Sequence, residues 1–346
     1  MPPERSAWHK PRVKHSVTNL TRRASDREAL VRFLATFEDE DRSEDYWRRR
    51  LAFWWDKNPA CKDDSPCGWV LRADEKIVGF LGVIPFEYVY SGKVIPGCAA
   101  TTWRVAREHR NASLPLFMQW HRLGAEVILL DTTPNEETRR VLERFQYRSQ
   151  KTLRNYFFPL SGGGAGVKAV GIRALAALNS MFLPREPLKL VMLEEKFEVA
   201  ANPADATRLY KRLTREYLQW FCGAPDTPRR FIGCGDGQGM LTSYLILQAD
   251  NYGAKPVLSA VDYFTARSDG RELLALIRHI LIQPETLFPN ARADFLMLNF
   301  LETPPFAGKP PGVFVRENLG KHYYSLPKSL EGVDKRCVLA EGDFGC

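Results

Sequence analysis

Residues 105–115 read VAREHRNASLP, a short charged run between two regions of different hydrophobic period. Upstream, residues 76–90 (KIVGFLGVIPFEYVY) and 94–106 are rich in β-branched and aromatic side chains and predict two antiparallel strands. Downstream, residues 112–123 have apolar side chains at helical spacing. The run is therefore predicted to lead from the end of a strand into the first turn of a helix.

A junction of this kind suits an anion. The first turn of a helix leaves about four backbone N–H groups unpaired and carries partial positive charge, so a phosphate placed there is held by several donors at once. Arg110 adds a full charge, and the small side chain of Ser113 lets the backbone approach a ligand. Pro115 lacks an N–H and removes one donor, although proline suits a first helical turn.

The rest of the first half alternates strands and helices in a regular order. A strand is predicted first, then two helices, three antiparallel strands, a helix, a strand, a helix and a final strand. The predicted bounds are 13–20, 25–34, 43–57, 68–72, 76–90, 94–106, 112–123, 126–130, 135–145 and 147–158. Ser25 is predicted to be the N-cap of the first helix, with Glu28 completing a capping box.

This order, together with the charged run, resembles the GNAT superfamily of acyl-coenzyme A N-acyltransferases. The family carries Val-x-Pro-x-x-Arg-Gly-x-Gly-x-Gly/Ala at this junction, and Val105 and Arg110 match it, as Asn135 matches an asparagine after the next strand. Ser113 and Pro115 stand where the family has small residues. The resemblance implies an acyl-coenzyme A site, with no metal, formed by Val105, Arg110, Asn111, Ala112, Ser113, Leu114 and Asn135.

The same resemblance implies a direct attack of an amine on the thioester, assisted by a general base. The family often uses a glutamate on the antiparallel strands, and Glu87 is the best-placed acid in this sequence. Asp262, in the second half, is the other candidate catalytic residue. An exposed strand-edge carboxylate is the alternative interpretation for Glu87. The family's tyrosine general acid falls at Leu142, so the sequence departs from the pattern there.

The order of predicted elements in the second half is similar to that of the first and points to a duplicated domain. A helix is predicted over 203–216, because Ala204, Leu209, Tyr210 and Leu213 recur at helical spacing. Tyr217 to Trp220 corresponds to Tyr46-Trp47 at an offset of 171 residues (217 − 46). At the place that matches the charged run, Asp269 and Glu272 begin a helix, and acidic groups there repel a phosphate. The second half is therefore predicted to shape the acceptor pocket or to brace the first half. Paired halves of this kind are similar to FemAB-like transferases and to GNAT-like proteins of polysaccharide biosynthesis.

We therefore expect an α/β (α+β) fold of two tandem GNAT-like domains, each a mixed, mostly antiparallel sheet flanked by helices. Residues 1–160 form the domain with the acyl-coenzyme A site, 161–190 a Gly-rich linker and connector helix, and 191–346 a degenerate second domain. The helix predicted at 167–183 has two interpretations, a connector packed between the domains or a basic amphipathic segment that touches a membrane.

The composition restricts the kinds of ligand and partner that we expect for this protein. The 346 residues carry a net charge of +8, spread along the chain, which suits an anionic ligand better than a dedicated nucleic-acid surface. Seven cysteines without a Cys-x-x-Cys pair predict reduced thiols rather than a zinc site. The N-terminus MPPERSAWHKPRVKH has no apolar core, so we expect no secretory signal and a cytoplasmic protein, with contact to the inner membrane face as the alternative.

Three functions remain open from the sequence. The first is transfer of an acyl group from acyl-coenzyme A to an amine such as an amino sugar or amino acid, in polysaccharide biosynthesis. The second is a non-catalytic GNAT-like adaptor, suggested by the missing glycines and by Leu142. The third is a FemAB-like aminoacyl transferase that uses charged tRNA, with which the positive charge is compatible.

Overall fold

The structure is a computed structural model that describes residues 14–20, 23–37, 41–160, 167–202, 207–284, 287–288 and 293–341. Its strands are β1 His15–Asn19, β2 Gly68–Ala73, β3 Lys76–Tyr90, β4 Lys93–Val105, β5 Ile128–Asp131, β6 Arg148–Pro159, β7 Lys189–Val191, β8 Glu198–Val199, β9 Tyr210–Lys211, β10 Arg229–Gly235, β11 Met240–Tyr252, β12 Lys255–Thr265, β13 Phe295–Phe300 and β14 Phe314–Ser325. Its α-helices are α1 Ala24–Leu34, α2 Glu44–Leu51, α3 Leu114–Leu123, α4 Glu136–Arg144, α5 Val167–Phe182, α6 Arg215–Cys222 and α7 Arg271–Ile282.

One continuous sheet runs through both halves of the chain. Its order is β1-β2-β3-β4-β5-β14-β6-β13-β12-β11-β10-β7, with β8 beside β11 and β9 beside β3. Most neighbours are antiparallel, whereas β4 with β5, β12 with β13 and β8 with β11 are parallel. The expected fold class, a mixed and mostly antiparallel sheet flanked by helices, is confirmed.

The two halves exchange their last strands. β14, from the end of the chain, pairs with β5 of the first half through Tyr323↔Asp131 and its neighbours. β6, from the first half, pairs with β13 of the second half. The sheet is thus continuous across the predicted boundary at residue 160, and the division into a first domain, a linker and a second domain stays a prediction.

The helix before each antiparallel meander starts with the same cap. The Ser43 hydroxyl accepts a hydrogen bond from the N–H of Tyr46, and the Thr214 hydroxyl accepts one from the N–H of Tyr217. Hydroxyl side chains stabilise helix starts because they pair one of the free N–H groups there. Both caps lie at the 171-residue offset noted in the sequence, and the tandem arrangement of two domains stays a prediction.

Three apolar layers hold the sheet. On one face, α1, α2 and α6 pack over both halves around aromatic side chains that include Trp54, Trp55 and Trp220. On the opposite face, α3 and α4 cover the first half, and α5 and α7 cover the second. The tryptophans at helical spacing therefore belong to the core, as large aromatic side chains usually do.

Several local predictions are wrong. α1 begins at Ala24 after Arg23, without a side-chain cap, so Ser25 is not its N-cap. The helix predicted over 203–216 is instead a turn, the short β9 and then α6, with 203–206 outside the described residues. The Gly-rich run 161–166 also lies outside them, whereas the helix predicted at 167–183 is confirmed as α5. In the described part of the chain, no helix combines the length and the apolar character needed to cross a membrane.

Candidate functional site

The candidate site lies where β4 and β5 stop pairing. Their parallel register covers only Gly97–Ala99 of β4 against Ile128–Leu130 of β5. β4 continues to Val105, whereas β5 ends at Asp131. On the side toward β5, the main chain of β4 beyond Ala99 is thus free of a described strand, and its N–H and C=O groups can pair with an extended ligand.

A β-bulge lies within this segment of β4 beyond Ala99. Between Gly82↔Thr101 and Phe80↔Arg104, β4 has one residue more than β3, and Thr102 adopts a φ of 49°. Positive φ is strained for a β-branched residue, and bulges re-aim the strand locally. β12 has an extra residue at the corresponding place of the second half, between Ala260 and Asp262. The strain is specific to the first half, since no residue of β12 has a positive φ.

The charged run folds differently from the predicted open turn. Residues Arg107–Ala112 form a 3-10 helix that leads straight into α3. The N–H of Ser113 donates to the carbonyl of Arg110 at 3.1 Å, and the N–H of Leu116 donates to the carbonyl of Ser113 at 3.1 Å. These two amides are therefore occupied in this conformation, which corrects the expectation that the amides around Ser113 point into open space.

Two arginine side chains, rather than those amides, are available to bind an anion in this run. Arg107 and Arg110 are exposed, and neither forms a salt bridge within the described residues. Asn111 and Leu114 are exposed as well, while Ala112 and Ser113 are half-buried. Unpaired guanidinium groups are good phosphate ligands because they present several N–H donors in one plane. The run therefore still offers an anion two free cations at the start of α3.

The other predicted cofactor residues have structural partners. Val105 is buried in the core under α3. The side chain of Asn135 caps α4, because its oxygen accepts a hydrogen bond from the N–H of Thr138 at 2.8 Å. Leu142, where the family has its tyrosine, is fully buried. The nearest tyrosine in sequence, Tyr147, stacks on Trp120, and burial raises its pKa well above the usual range.

Glu87 is held by two cations. Its carboxylate lies 2.6 Å from a guanidinium nitrogen of Arg212 and 3.3 Å from the ammonium of Lys62. The backbone of Arg212 also donates to the carbonyl of Glu87. Glu87 thus joins the first half to the segment that enters the second, and it is more enclosed than an exposed edge carboxylate.

Asp262 is enclosed still further. Its carboxylate accepts hydrogen bonds from the Lys211 ammonium at 2.8 Å, from the Tyr244 hydroxyl at 2.9 Å and from the N–H of Tyr263 at 3.0 Å. Consecutive residues, Lys211 and Arg212, therefore bind the two candidate acids. Because only 1% of the Asp262 side chain is exposed, a substrate amine can reach this carboxylate only after its partners move.

The tail of the chain adds a buried ionic group that sequence inspection misses. Glu341 and Lys335 are fully buried and form an ion pair, and His322 of β14 lies 3.1 Å from the Glu341 carboxylate. Burial acts to raise the pKa of Glu341, but Lys335 and His322 outweigh it and lower that pKa to about 2. Burial lowers the pKa of His322, so its ring is neutral near pH 7. The sequence signal was the ionic character of 335–341 in a stretch that also contains Leu339 and Ala340.

A polar cavity of about 880 Å³ adjoins this buried group. It opens beyond the end of β13, and its wall includes Lys335, Cys337 and Tyr324 from the tail and β14, and Lys151 from β6. Arg208 crosses it in a bidentate pair with Glu302, at 3.0 and 2.9 Å. The cavity has the size of a small-molecule site, and its charged lining favours a polar ligand.

At the start of α7, in the second half, an acidic side chain pairs with a backbone N–H of the first helical turn. The Asp269 carboxylate accepts from the N–H of Arg271, and the Ser243 hydroxyl donates to Glu272 at 2.6 Å. The arrangement agrees with the expectation that acidic groups occupy this place. Within the described residues, no cluster of three or more histidine, cysteine, aspartate or glutamate side chains could hold a metal. Burial raises the pKa of Cys98 and of Cys337 to about 12, so these thiols stay protonated.

These elements, with the interrupted β4–β5 pairing, define the fold of the GCN5-related N-acetyltransferases. Three solved structures share it: such an acetyltransferase from Anabaena variabilis (TM-score 0.57, 13% identity), a probable N-acyltransferase of unknown function from Enterococcus faecalis (0.55, 11%) and another GCN5-related enzyme from Kribbella flavida (0.53, 10%). Each alignment covers 90% of this chain, and 72%, 72% and 71% of the respective structure. No protein-family model and no curated protein matches the chain. At these identities the likeness establishes the fold.

Proposed function

We propose that the protein transfers an acyl group from acyl-coenzyme A to an amine. The observation that carries this proposal is the early end of the β4–β5 pairing, which stops at Ala99 and Leu130 although β4 continues to Val105. An extended pantetheine arm carries amide groups that pair with such an edge as another strand would. The exposed Arg107 and Arg110 at the near end of α3 supply charge for the diphosphate.

The reaction then needs orientation and two proton transfers. The amine nitrogen attacks the thioester carbon, and the carbon–sulfur bond breaks with its electron pair on sulfur. The proton that the nitrogen loses as the amide forms is taken up by the thiolate, which gives free coenzyme A. Before attack, the ammonium must lose a proton. Glu87 and Asp262 remain our candidates for accepting it, and each must first be released from its cation, Arg212 or Lys211.

The acceptor in this proposal is a small polar amine. The charged cavity of about 880 Å³ near Lys335 supports a polar acceptor such as an amino sugar or amino acid. An amino sugar would fit a role in polysaccharide biosynthesis, and a cytoplasmic location would supply the coenzyme A. Charged tRNA as an alternative donor remains a prediction, and a gel shift that weakens steeply with salt would support it.

Titration calorimetry with acetyl-coenzyme A tests the donor site directly. We expect binding to the full-length protein, and Arg110→Ala to weaken it. Arg122→Ala, at the other end of α3, is the matched control because Arg122 is also exposed. Absence of binding heat with acetyl-coenzyme A, with a long-chain acyl-coenzyme A and with free coenzyme A would contradict the proposal.

A non-catalytic adaptor is the second candidate function. The engaged carboxylates of Glu87 and Asp262 favour it, as does the buried Leu142 at the position of the family's tyrosine. The two functions separate in an assay of thiol release with a panel of primary amines. An enzyme gives amine-dependent release that Glu87→Gln or Asp262→Asn lowers, whereas an adaptor that binds coenzyme A gives release no faster than buffer.

A further inference from the structure

The outer face of α5 is apolar and exposed, although the helix is packed against the protein on its inner face. Ala176, Asn179 and Leu183 are buried, and the Arg278 side chain donates to the carbonyl of Ser180 at 2.9 Å. The helix is therefore docked to α7 and to the second-half core. Packing against the protein therefore does not account for the apolar side chains on the outer face of α5.

Four large side chains form that outer face. Val170, Leu178, Met181 and Phe182 are 65%, 41%, 66% and 61% exposed. At about 3.6 residues per turn, they fall within an arc of about 120° around the helix axis. They therefore form one stripe along the helix, which we call the α5 stripe. Soluble monomers rarely leave such contiguous apolar surface without a partner.

The charges around the α5 stripe have one sign. From Ser161 to Arg185 the sequence contains Lys168, Arg173 and Arg185 and no aspartate or glutamate. Arg173 and Arg185 are exposed. The next acid, Glu186, lies 3.0 Å from Arg271, which neutralises it. An apolar stripe with a basic border complements a surface that is apolar inside and anionic outside.

Neighbouring elements continue the apolar surface. Leu190 and Met192, in and just after the edge strand β7, are exposed, and so is Ile282 at the end of α7. Leu190 and Ile282 line one cavity together with Arg278 and His279, and Glu186, which pairs with Arg271, lines it as well. The apolar surface thus extends beyond α5 itself on this side of the second half.

We propose that the α5 stripe binds the surface of an anionic membrane, with α5 lying in the interface plane. The stripe would enter the boundary between headgroups and acyl chains, while Arg173 and Arg185 contact anionic headgroups. The bilayer is contacted and not crossed, so the helix stays docked on α7. The proposal is independent of acyl transfer, because the α5 stripe shares no residue with the β4 edge or with the run 105–115.

Vesicle sedimentation of the full-length protein tests this proposal. The vesicles are phosphatidylcholine alone or phosphatidylcholine with about a third phosphatidylserine. We expect the protein to sediment with the anionic vesicles at least tenfold more strongly than with the neutral ones. Binding should weaken in high salt, because salt screens the attraction between the arginines and the headgroups.

Two variants locate the contact. Met181→Glu with Phe182→Glu should lower binding to anionic vesicles at least tenfold, whereas Met181→Leu with Phe182→Leu should keep it. Leu319→Glu is the matched control, since Leu319 of β14 is also exposed and lies outside the stripe. Circular dichroism and acetyl-coenzyme A titration of each variant show whether the fold and the donor site are intact.

Three outcomes would overturn the proposal. One is sedimentation of no more protein with anionic vesicles than with neutral ones. Another is equal binding by the glutamate double variant and by the wild type. The third is a wild-type dimer in size-exclusion chromatography that the glutamate double variant converts to monomer, since a second copy of the chain would then cover the stripe.

Discussion

The ammonium of Lys211 and the carboxylate of Asp262 form a buried ion pair at 2.8 Å, with only 4% and 1% of the two side chains exposed. Lys211 lies on β9, which pairs with β3 of the first half, and Asp262 lies on β12 of the second. The ion pair therefore connects the two halves under the layer formed by α1, α2 and α6. Its neighbours Tyr217 and Tyr244 contribute further hydrogen bonds.

Removing one partner of this pair should destabilise the protein strongly. Asp262→Leu alone leaves the Lys211 ammonium buried without its counter-charge, and Lys211→Met alone does the same to the Asp262 carboxylate. Such changes cost roughly 3–5 kcal/mol of the free energy of unfolding. The double variant Lys211→Met with Asp262→Leu should lose less than the sum of the single variants, because no uncompensated charge remains. Urea unfolding measures the cycle, and strictly additive effects would contradict the predicted coupling.

Arg110→Ala should weaken acetyl-coenzyme A binding about ten- to a hundredfold, the value expected for a charge-assisted contact worth roughly 1.5–3 kcal/mol. The free energy of unfolding should change little, since Arg110 is exposed. Calorimetry of wild type, Arg110→Ala and Arg122→Ala gives the affinities. Equal weakening by both substitutions would indicate general attraction by positive charge and would count against a specific contact at Arg110.

Thr102 should tolerate glycine better than its neighbour does. Its φ of 49° lies in the left-handed region, where a β-branched side chain is strained by roughly 1–2 kcal/mol and glycine is not. Thr102→Gly should therefore cost about 1–2 kcal/mol less than Thr101→Gly in denaturant unfolding. Equal costs would show that the bulge carries no strain at Thr102. If the bulge aims the β4 edge at its ligand, Thr102→Gly should also weaken acetyl-coenzyme A binding.

The buried tail should make the fold sensitive to acid. The pKa of Glu341 is about 2 in the folded protein and about 4.3 in an unfolded chain, so its contribution is complete above about pH 5 and is lost as pH falls toward 2. The loss amounts to about 3 kcal/mol. Because the pKa of His322 is also lowered, protonation of the unfolded chain below about pH 6.5 removes further stability.

Unfolding measured between pH 7 and pH 3 checks this dependence. Glu341→Gln should flatten the lower part of the curve, and His322→Gln should flatten the part that begins near pH 6.5. Each variant will also be less stable at pH 7, so the comparison concerns the slope with pH. A Glu341→Gln curve that keeps the wild-type slope below pH 5 would show that other carboxylates dominate acid unfolding.

Local patterns predicted most of the elements that surround the candidate site. The strand period of residues 76–90, the apolar run that became β5 and the helical spacing of residues 112–123 each depend on neighbours within a few positions. The prediction of a helix over 203–216 was wrong at β9 because the structure there depends on a contact that is distant in sequence. Tyr210 and Lys211 join the edge of β3, and a contact with a strand more than a hundred residues away overrides local spacing.

The site itself was predicted in outline only. Arg110 was identified through spacing, but the 3-10 helix that occupies the Ser113 amide depends on fine backbone geometry. The cations that hold Glu87 and Asp262 come from consecutive positions 211 and 212, far away in sequence. The Lys335–Glu341 pair was missed because charged side chains are normally expected on the surface, and only the path of the tail encloses them.

The strand Phe314–Ser325 occupies the middle of the sheet, between β5 and β6. During synthesis, therefore, one edge of β5 has no partner until the ribosome has passed residue 325. Until then the nascent first half exposes main-chain donors and acceptors to other strands, and the need for chaperones should be greatest in this interval. Deletion of this strand would accordingly damage the first half of the chain as severely as the second half.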